Sequence, residues 1–242
     1  MSTGKTLREN PDYEPESAGP KSYILISVAL LIVAGLCLAG FLWWTNRPSE
    51  PVDTKVLAEN ASFIVGDKSA PVTIDVFGDY HCPHCATFEE QSGSAIRQAV
   101  LDGEIRVRYH MLNFLDDDSE SGDYSSRAAG AALCVARSDD REVFWRLHRE
   151  LFEKSGDDPD NAAIAALAAK AGATPETQSC ITRGALVDEG RSMAEASQQQ
   201  LKNSTDGQVA TPTVLLAGEP VDDIMDGTGW LTGILAGDRP SS

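Results

Sequence analysis

Cys82 and Cys85 bracket the tetrapeptide Cys82-Pro83-His84-Cys85. This spacing brings two sulfurs close enough to bond, so the pair can alternate between dithiol and disulfide. If the run opens a helix, the helix end aims free N–H groups and partial positive charge at the first sulfur, favouring the Cys82 thiolate. Pro83, without an N–H, suits the first helical position, and a charged His84 adds a further attraction for the anion. Lowering a thiol pKa from ~8.5 to about 5 stabilises the reduced form by about 5 kcal/mol, which corresponds to ~100 mV in reduction potential. A disulfide that prefers to be reduced hands itself on to other thiols.

Other uses of cysteine fit less well. A zinc site needs two more ligands, and His81 and His84 are too close in sequence to complete one tetrahedron with both cysteines. Cys134 and Cys180 are single cysteines, not a second C-x-x-C pair. Covalent haem attachment requires histidine where Ala86 stands. No metal or cofactor is expected, although a redox-inactive or metal-binding module stays open as an alternative from another class. Cys134 and Cys180 fall in separate helical stretches. In an oxidising compartment such thiols pair, and a structural Cys134–Cys180 disulfide is expected over two independent buried thiols. Tyr80 and His81, flanking the dithiol, are candidate client-contact residues. His110 and His148 read as a strand-surface and a helix residue with no site implied, and Asp116-Asp117-Asp118 as a solvated loop.

The elements that must position the dithiol follow from periodicity. Val72–Phe77, after Pro71, is a β-branched run that reads as an interior strand. Gly78-Asp79-Tyr80-His81 turns into the motif, and Phe88, Ile96 and Val100 lie on one face of the helix beyond it, with Gly93 a weak point. Ile105, Val107, Tyr109 and Met111 alternate with Arg106, Arg108 and His110, the pattern of a half-buried strand. Ser62–Val65 reads as an edge strand. A helical stretch follows, with starts marked by Asp139 and Glu142, by Asp160, and by Thr174-Pro175. A weaker helix spans 186–201. Strand character returns at Thr213–Leu216 after Pro212, and a short helix closes at 228–235.

The first part of the chain has a different character. Residues 1–22 are polar and rich in Pro and Glu, and read as a disordered tail. Residues 23–44 carry no charge and are long enough for a bilayer core, which takes roughly 20 helical residues. Tyr23, Trp43 and Trp44 are placed as interfacial anchors. The run is too long for a cleavable signal peptide, Cys37 lacks the small residues of a lipoprotein site, and a buried core helix is the bland alternative. Lys5, Arg8 and Lys21 precede the span while Arg47 and Lys55 follow it, which favours a cytoplasmic N-terminus and an extracytoplasmic body. Residues 45–60 read as a linker, Pro-rich at its start. A net charge of −17 argues against nucleic-acid binding.

A strand, C-P-H-C at a helix start, a long helical stretch and Thr211-Pro212-Thr213 heading a late strand resemble the DsbA-like branch of the thioredoxin superfamily. The resemblance implies an α/β thioredoxin-like fold over 61–242 with an all-helical subdomain inserted at about 112–208, preceded by the single transmembrane helix. It implies that Pro212 is cis and sits against the dithiol, and that Thr211 offers backbone hydrogen bonds to the substrate chain. Cys82 would be the exposed attacking sulfur and Cys85 its resolving partner. The implied activity is introduction of disulfides into reduced secreted proteins. Recharging would come from a quinone-linked membrane oxidase, either DsbB-type or a vitamin K epoxide reductase homologue, with no flavin, metal or nucleotide. A reductase or isomerase is the alternative on the same fold: Thr before the proline is commoner in isomerases, but no dimerisation domain is visible. Members often carry a buried acid six residues before the first cysteine. That position is Val76 here, and the neighbouring Asp75 would face the other side of its strand.

Overall fold

A computed structural model describes residues 20–45, 52–138 and 141–238. The chain divides into two units, residues 1–48 and 49–242. In the first, α1 (Pro20–Thr45) is long and apolar enough to cross a membrane. It takes in the last three residues of the expected tail, with Pro20 at its first position, where a missing N–H costs nothing. The rest of the expected tail, the side chains of Tyr23, Trp43 and Trp44, and the cap at Asp139 lie outside the described residues.

The second unit is built on a five-stranded sheet of order β1-β3-β2-β4-β5. Its strands are β1 (Phe63–Val65), β2 (Val72–Asp79), β3 (Ile105–Leu112), β4 (Thr213–Leu216) and β5 (Glu219–Pro220). β2 runs parallel to β3, with α3 (Pro83–Leu101) as the crossover, and antiparallel to β4, pairing Val76 with Val214. A strand held on both sides is rigid, and the chain leaves its carboxyl end directly into the cysteine motif.

Between β3 and β4 come α4 (Tyr124–Ser138), α5 (Arg141–Glu153), α6 (Asn161–Ala171), α7 (Pro175–Thr182) and α8 (Val187–Ser204); α9 (Gly229–Ala236) follows β5. Their ends obey local chemistry. The Asp160 carboxylate accepts the Ala163 N–H at 2.8 Å, and α6 stops at Gly172 with φ 103°, a left-handed conformation that suits glycine. Thr174 caps α7, with Pro175 first in the helix. Cys134 in α4 and Cys180 in α7 form a disulfide with Cα atoms 6.0 Å apart. Loop constraint of this kind contributes about 2–4 kcal/mol.

Two expectations are corrected. The stretch 45–60 is not linker throughout: Asp53 accepts the N–H groups of Lys55 and Val56 and starts α2 (Thr54–Glu59). Leu57 in that helix is buried with Phe77, Leu112, Leu201 and Leu215. β3 is not half-buried, because α8 covers the face that alternation left to solvent. There Arg108 Nη2 donates to Asp75 Oδ2 at 2.6 Å, and His110 bridges Asp75 Oδ1 at 2.8 Å and Ser197 Oγ at 2.9 Å. His110 is therefore a core residue, stacked on Phe77, and burial holds its pKa below the ordinary value. Asp117 and Asp118 are exposed, as expected of a solvated segment, which takes the form of a 3₁₀ turn; Asp116 Oδ1 accepts the Ser126 N–H at 2.8 Å.

Removing one member of a buried ion pair strands the other, at a cost of about 3–5 kcal/mol. Asp75→Asn is expected to lose stability of that order in urea unfolding, through the uncompensated Arg108 guanidinium. Reactivity of Cys82 should be unchanged, because Asp75 lies on the α8 side of the sheet. A loss below 1 kcal/mol would show that Arg108 is solvated instead.

Candidate active site

β2 ends at Asp79, and this residue ties down the turn that follows. Its Oδ1 accepts the His81 N–H at 2.9 Å and the Ser125 hydroxyl, and its Oδ2 accepts the Leu115 N–H at 3.1 Å. Its own carbonyl accepts the Cys82 N–H at 3.0 Å. The carboxyl is fully buried, and burial raises its pKa to about 6 against the pull of those three donors. Sequence reading placed Asp79 in the turn without a role. Besides His81, its side-chain partners lie 36 and 46 positions downstream, so no local pattern shows that it is buried and tied to three elements.

Cys82 is the N-cap of α3, in extended conformation (φ −81°, ψ 116°), and Pro83 is the first helical residue. The Cys82 carbonyl accepts the N–H groups of Cys85 and Ala86. Both cysteines are free thiols in this structure. The Cys85 thiol hydrogen-bonds the Cys82 sulfur and is the main reason why the Cys82 pKa falls to about 5. Burial opposes the shift; Thr211 and the backbone N–H groups of Cys85 and His84 add to it. Cys85 moves the other way: burial, then the neighbouring Cys82 sulfur, push its thiol far above the ordinary value. Two thiols of one motif thus become an easy anion and a reluctant one.

The peptide bond between Thr211 and Pro212 is cis. Thr211 lies against the dithiol, its carbonyl oxygen 3.4 Å from the Cys82 sulfur, and Pro212 shares a cavity wall with Cys85. The Thr211 segment covers the outer sulfur. Cys82 keeps only 6 % of its surface and Cys85 2 %, which corrects the expectation of an exposed Cys82.

Pro83 and His84 are exposed at the start of α3. The contribution of His84 to the Cys82 anion comes from its backbone N–H. His81 is partly exposed beside the Tyr124 ring. Tyr80 is corrected as a client-contact residue: it is fully buried, its hydroxyl 2.8 Å from His148 Nδ1 and its ring against Phe152. The turn directs this side chain inward under α5, where no client reaches it. Among the described residues, no three His, Cys, Asp or Glu side chains converge to hold a metal ion.

Titration of the thiolate absorbance in the reduced protein is expected to show one transition near pH 5, lost in Cys82→Ala. Because the folded value lies below the ordinary 9.0, the thiolate adds stability to the reduced fold that is complete above pH 9 and fades towards pH 5. Urea unfolding of reduced and oxidised protein should therefore differ most near pH 9, above which ionisation of Cys85 in the unfolded chain works against the reduced fold, and converge as the pH falls through 5. A midpoint near 8 would contradict the arrangement described above.

The thioredoxin family model matches residues 58–234. Serine/threonine-protein kinase PknE of Mycobacterium tuberculosis is 38 % identical over 160 residues, covering 63 % of this chain but 28 % of that protein. Disulfide bond formation protein D of Bacillus subtilis is 28 % identical over 144 residues, 59 % of this chain and 54 % of that protein. This chain therefore matches little more than a quarter of the kinase and about half of the Bacillus protein. Among solved structures, the MdbA thiol-disulfide oxidoreductase of Corynebacterium diphtheriae superposes with a TM-score of 0.63 at 29 % identity, covering 72 % of this chain and 89 % of that one. A dithiol at the head of the crossover helix, set against a cis-proline just before β4 and matched by the family model over most of the chain, places this protein in the thioredoxin family.

Proposed function

We propose that this protein is a membrane-anchored thiol–disulfide oxidoreductase that introduces disulfides into reduced secreted proteins. The observation that carries the proposal is the inequality of the two sulfurs, with Cys82 lowered to about 5 and Cys85 raised by burial. In the oxidised enzyme, a client thiolate attacks the Cys82 sulfur, breaking the Cys82–Cys85 bond and forming a mixed disulfide. Cys85 leaves with the electron pair and takes up a proton. A second client thiolate then attacks the client sulfur of the mixed disulfide and expels Cys82, which is content as a thiolate. Two electrons pass from client to enzyme, and the final leaving group is the stable anion. This drives the exchange towards client oxidation.

Thr211, with its carbonyl beside Cys82, is placed to offer backbone hydrogen bonds to an extended client segment, with His81 on the rim. A quinone-linked membrane oxidase, DsbB-type or a vitamin K epoxide reductase homologue, would recharge the dithiol. In this reading α1 spans the membrane with the N-terminus cytoplasmic and the body outside. The Cys134–Cys180 disulfide supports an oxidising location. The printed names of the Corynebacterium and Bacillus proteins point to the same chemistry, whereas the kinase name describes a protein of which this chain matches only 28 %.

The test is oxidative refolding of a reduced, denatured disulfide protein by the full chain in detergent micelles. Wild type should restore client activity and Cys82→Ala should be inert. Cys85→Ala, first charged at Cys82 with oxidised glutathione, should accumulate mixed disulfides with the client on non-reducing gels. Reduction of insulin without oxidation of the reduced client would favour a reductase, and refolding by Cys82→Ala a redox-inactive binding module. In intact cells, a membrane-impermeant thiol reagent is expected to label Cys82; labelling only after lysis would reverse the orientation.

A further inference from the structure

Exchange requires the Cys82 sulfur to be held at the end of α3, yet the Cys82 side chain makes no capping hydrogen bond to that helix. Its place is set by the turn before it, and that turn closes on one residue. The Asp79 carbonyl accepts the Cys82 N–H at 3.0 Å, and Asp79 Oδ1 accepts the His81 N–H at 2.9 Å. The same carboxylate reaches the Ser125 hydroxyl on α4 and the Leu115 N–H, 3.1 Å from Oδ2. We propose that Asp79 is the positioning residue of the dithiol: as an anion it clamps the turn and holds the Cys82 sulfur in place, and on taking up a proton it opens the clamp and lowers the oxidising power of the disulfide.

The donor count explains why a proton opens it. An ionised carboxylate only accepts, whereas a protonated carboxyl oxygen is itself a donor. A proton on Oδ2 would face the Leu115 N–H, a donor that cannot turn away. A proton on Oδ1 finds a partner, because the Ser125 hydroxyl can rotate and accept. The His81 N–H then loses its acceptor. The tether released is the one on the residue that immediately precedes Cys82.

The fold keeps this charge against its own stability. Asp79 is fully buried, and burial raises its pKa from 3.8 to about 6. A carboxyl held more tightly protonated in the native state weakens the fold as it ionises, so this contribution falls as the pH rises from about 4 to 6. The surrounding groups give little relief. Asp116, from the segment after β3, is a like charge that raises the value further. On α4, Tyr124 is kept neutral by burial, and Arg127 is committed to Asp123 and Asp158. The His81 ring is turned to Tyr124, so its N–H, not its imidazole, bonds the carboxylate. On α3, Cys85 stays protonated.

The inference rests on the proposed exchange reading, and the experiment separates the two. Full-length protein in detergent micelles is equilibrated with glutathione mixtures, and the state of the Cys82–Cys85 pair is read by peptide mass mapping after acid quenching. Two glutathione thiols become one glutathione disulfide as the enzyme disulfide takes up two electrons, leaving the Cys82 thiolate and the Cys85 thiol and releasing one proton. Asp79→Asn has the shape of the neutral carboxyl, with an NH2 group where the proton would sit. At pH 7.5 its equilibrium constant for reduction is expected to be about fivefold below wild type, the scale of one hydrogen bond. The ratio should fall towards one as the pH drops through 6, where wild type protonates Asp79. Histidine titrations occur in both proteins and cancel in the ratio. Asp79→Asn should melt no lower than wild type at pH 7.5.

Ser125→Ala removes one donor from the anion, so its loss of oxidising power is expected to begin at a higher pH than in wild type. A ratio that stays constant across pH 5 to 7.5 overturns the clamp. So does a larger constant in Asp79→Asn, which would mean that the carboxylate acts only by repelling the Cys82 anion. A lower melting temperature with an unchanged constant would make Asp79 a structural residue and overturn it equally. If Asp79→Asn does not fold, a Ser125→Ala profile identical to wild type overturns the clamp. Failure of wild type to equilibrate with glutathione overturns the exchange reading itself.

Discussion

The hydrogen bond from the buried Cys85 thiol to the Cys82 sulfur, made at the amino end of α3, is the interaction on which the site turns. It serves only if Cys85 keeps its proton while Cys82 gives its own up. Burial enforces the first condition, and the backbone N–H groups of His84 and Cys85 at the helix end favour the second. Neither effect suffices alone. Two equally exposed thiols would titrate near their ordinary values, and two equally buried ones would both stay protonated.

Holding one sulfur inside and one at the helix end is a problem of backbone placement, which the sheet and Asp79 solve together. β2 is fixed by β3 on one side and β4 on the other, and Asp79 at its tip binds donors from the turn, from α4 and from the segment after β3. These are tethers from three directions on a fully buried carboxylate. The same β4 pairing brings Thr211 and Pro212 to the dithiol, so the lid over Cys82 and the floor beneath Cys85 share one register.

Much of this was legible in the residues themselves. C-P-H-C, the β-branched run before it and Thr211-Pro212 before a late strand mark the site because each acts through its immediate neighbours. The caps at Asp160 and Thr174 are legible for the same reason. What was not legible depends on partners far along the chain. Alternation assigned Arg108 and His110 to solvent, since it carries no information on whether a helix will cover that face; α8 does, and Asp75 supplies the counter-charge. Tyr80 looked like a rim residue because it flanks the motif, but the direction of a turn side chain is set by the cavity available to it, under α5. The short helix at Thr54–Glu59 was hidden by the Pro-rich start of its segment, although Asp53 stands at its head as a cap.

The sheet carries buried polar groups on both faces, and the two sets are held differently. On the α8 side, Asp75, Arg108, His110 and Ser197 meet at hydrogen-bond distances of 2.6–2.9 Å. Moving any one of these side chains leaves the others short of a partner in low dielectric, so the set resists change. On the α3 side, His148 is held instead by the Tyr80 hydroxyl at 2.8 Å and by the rings of Tyr109, Phe144 and Phe152 around it. Its 3.6 Å contact with Glu89 is longer than a hydrogen bond and adds little. That face therefore rests on aromatic packing rather than on ion pairing, and the packing fixes the floor on which Cys85 is buried.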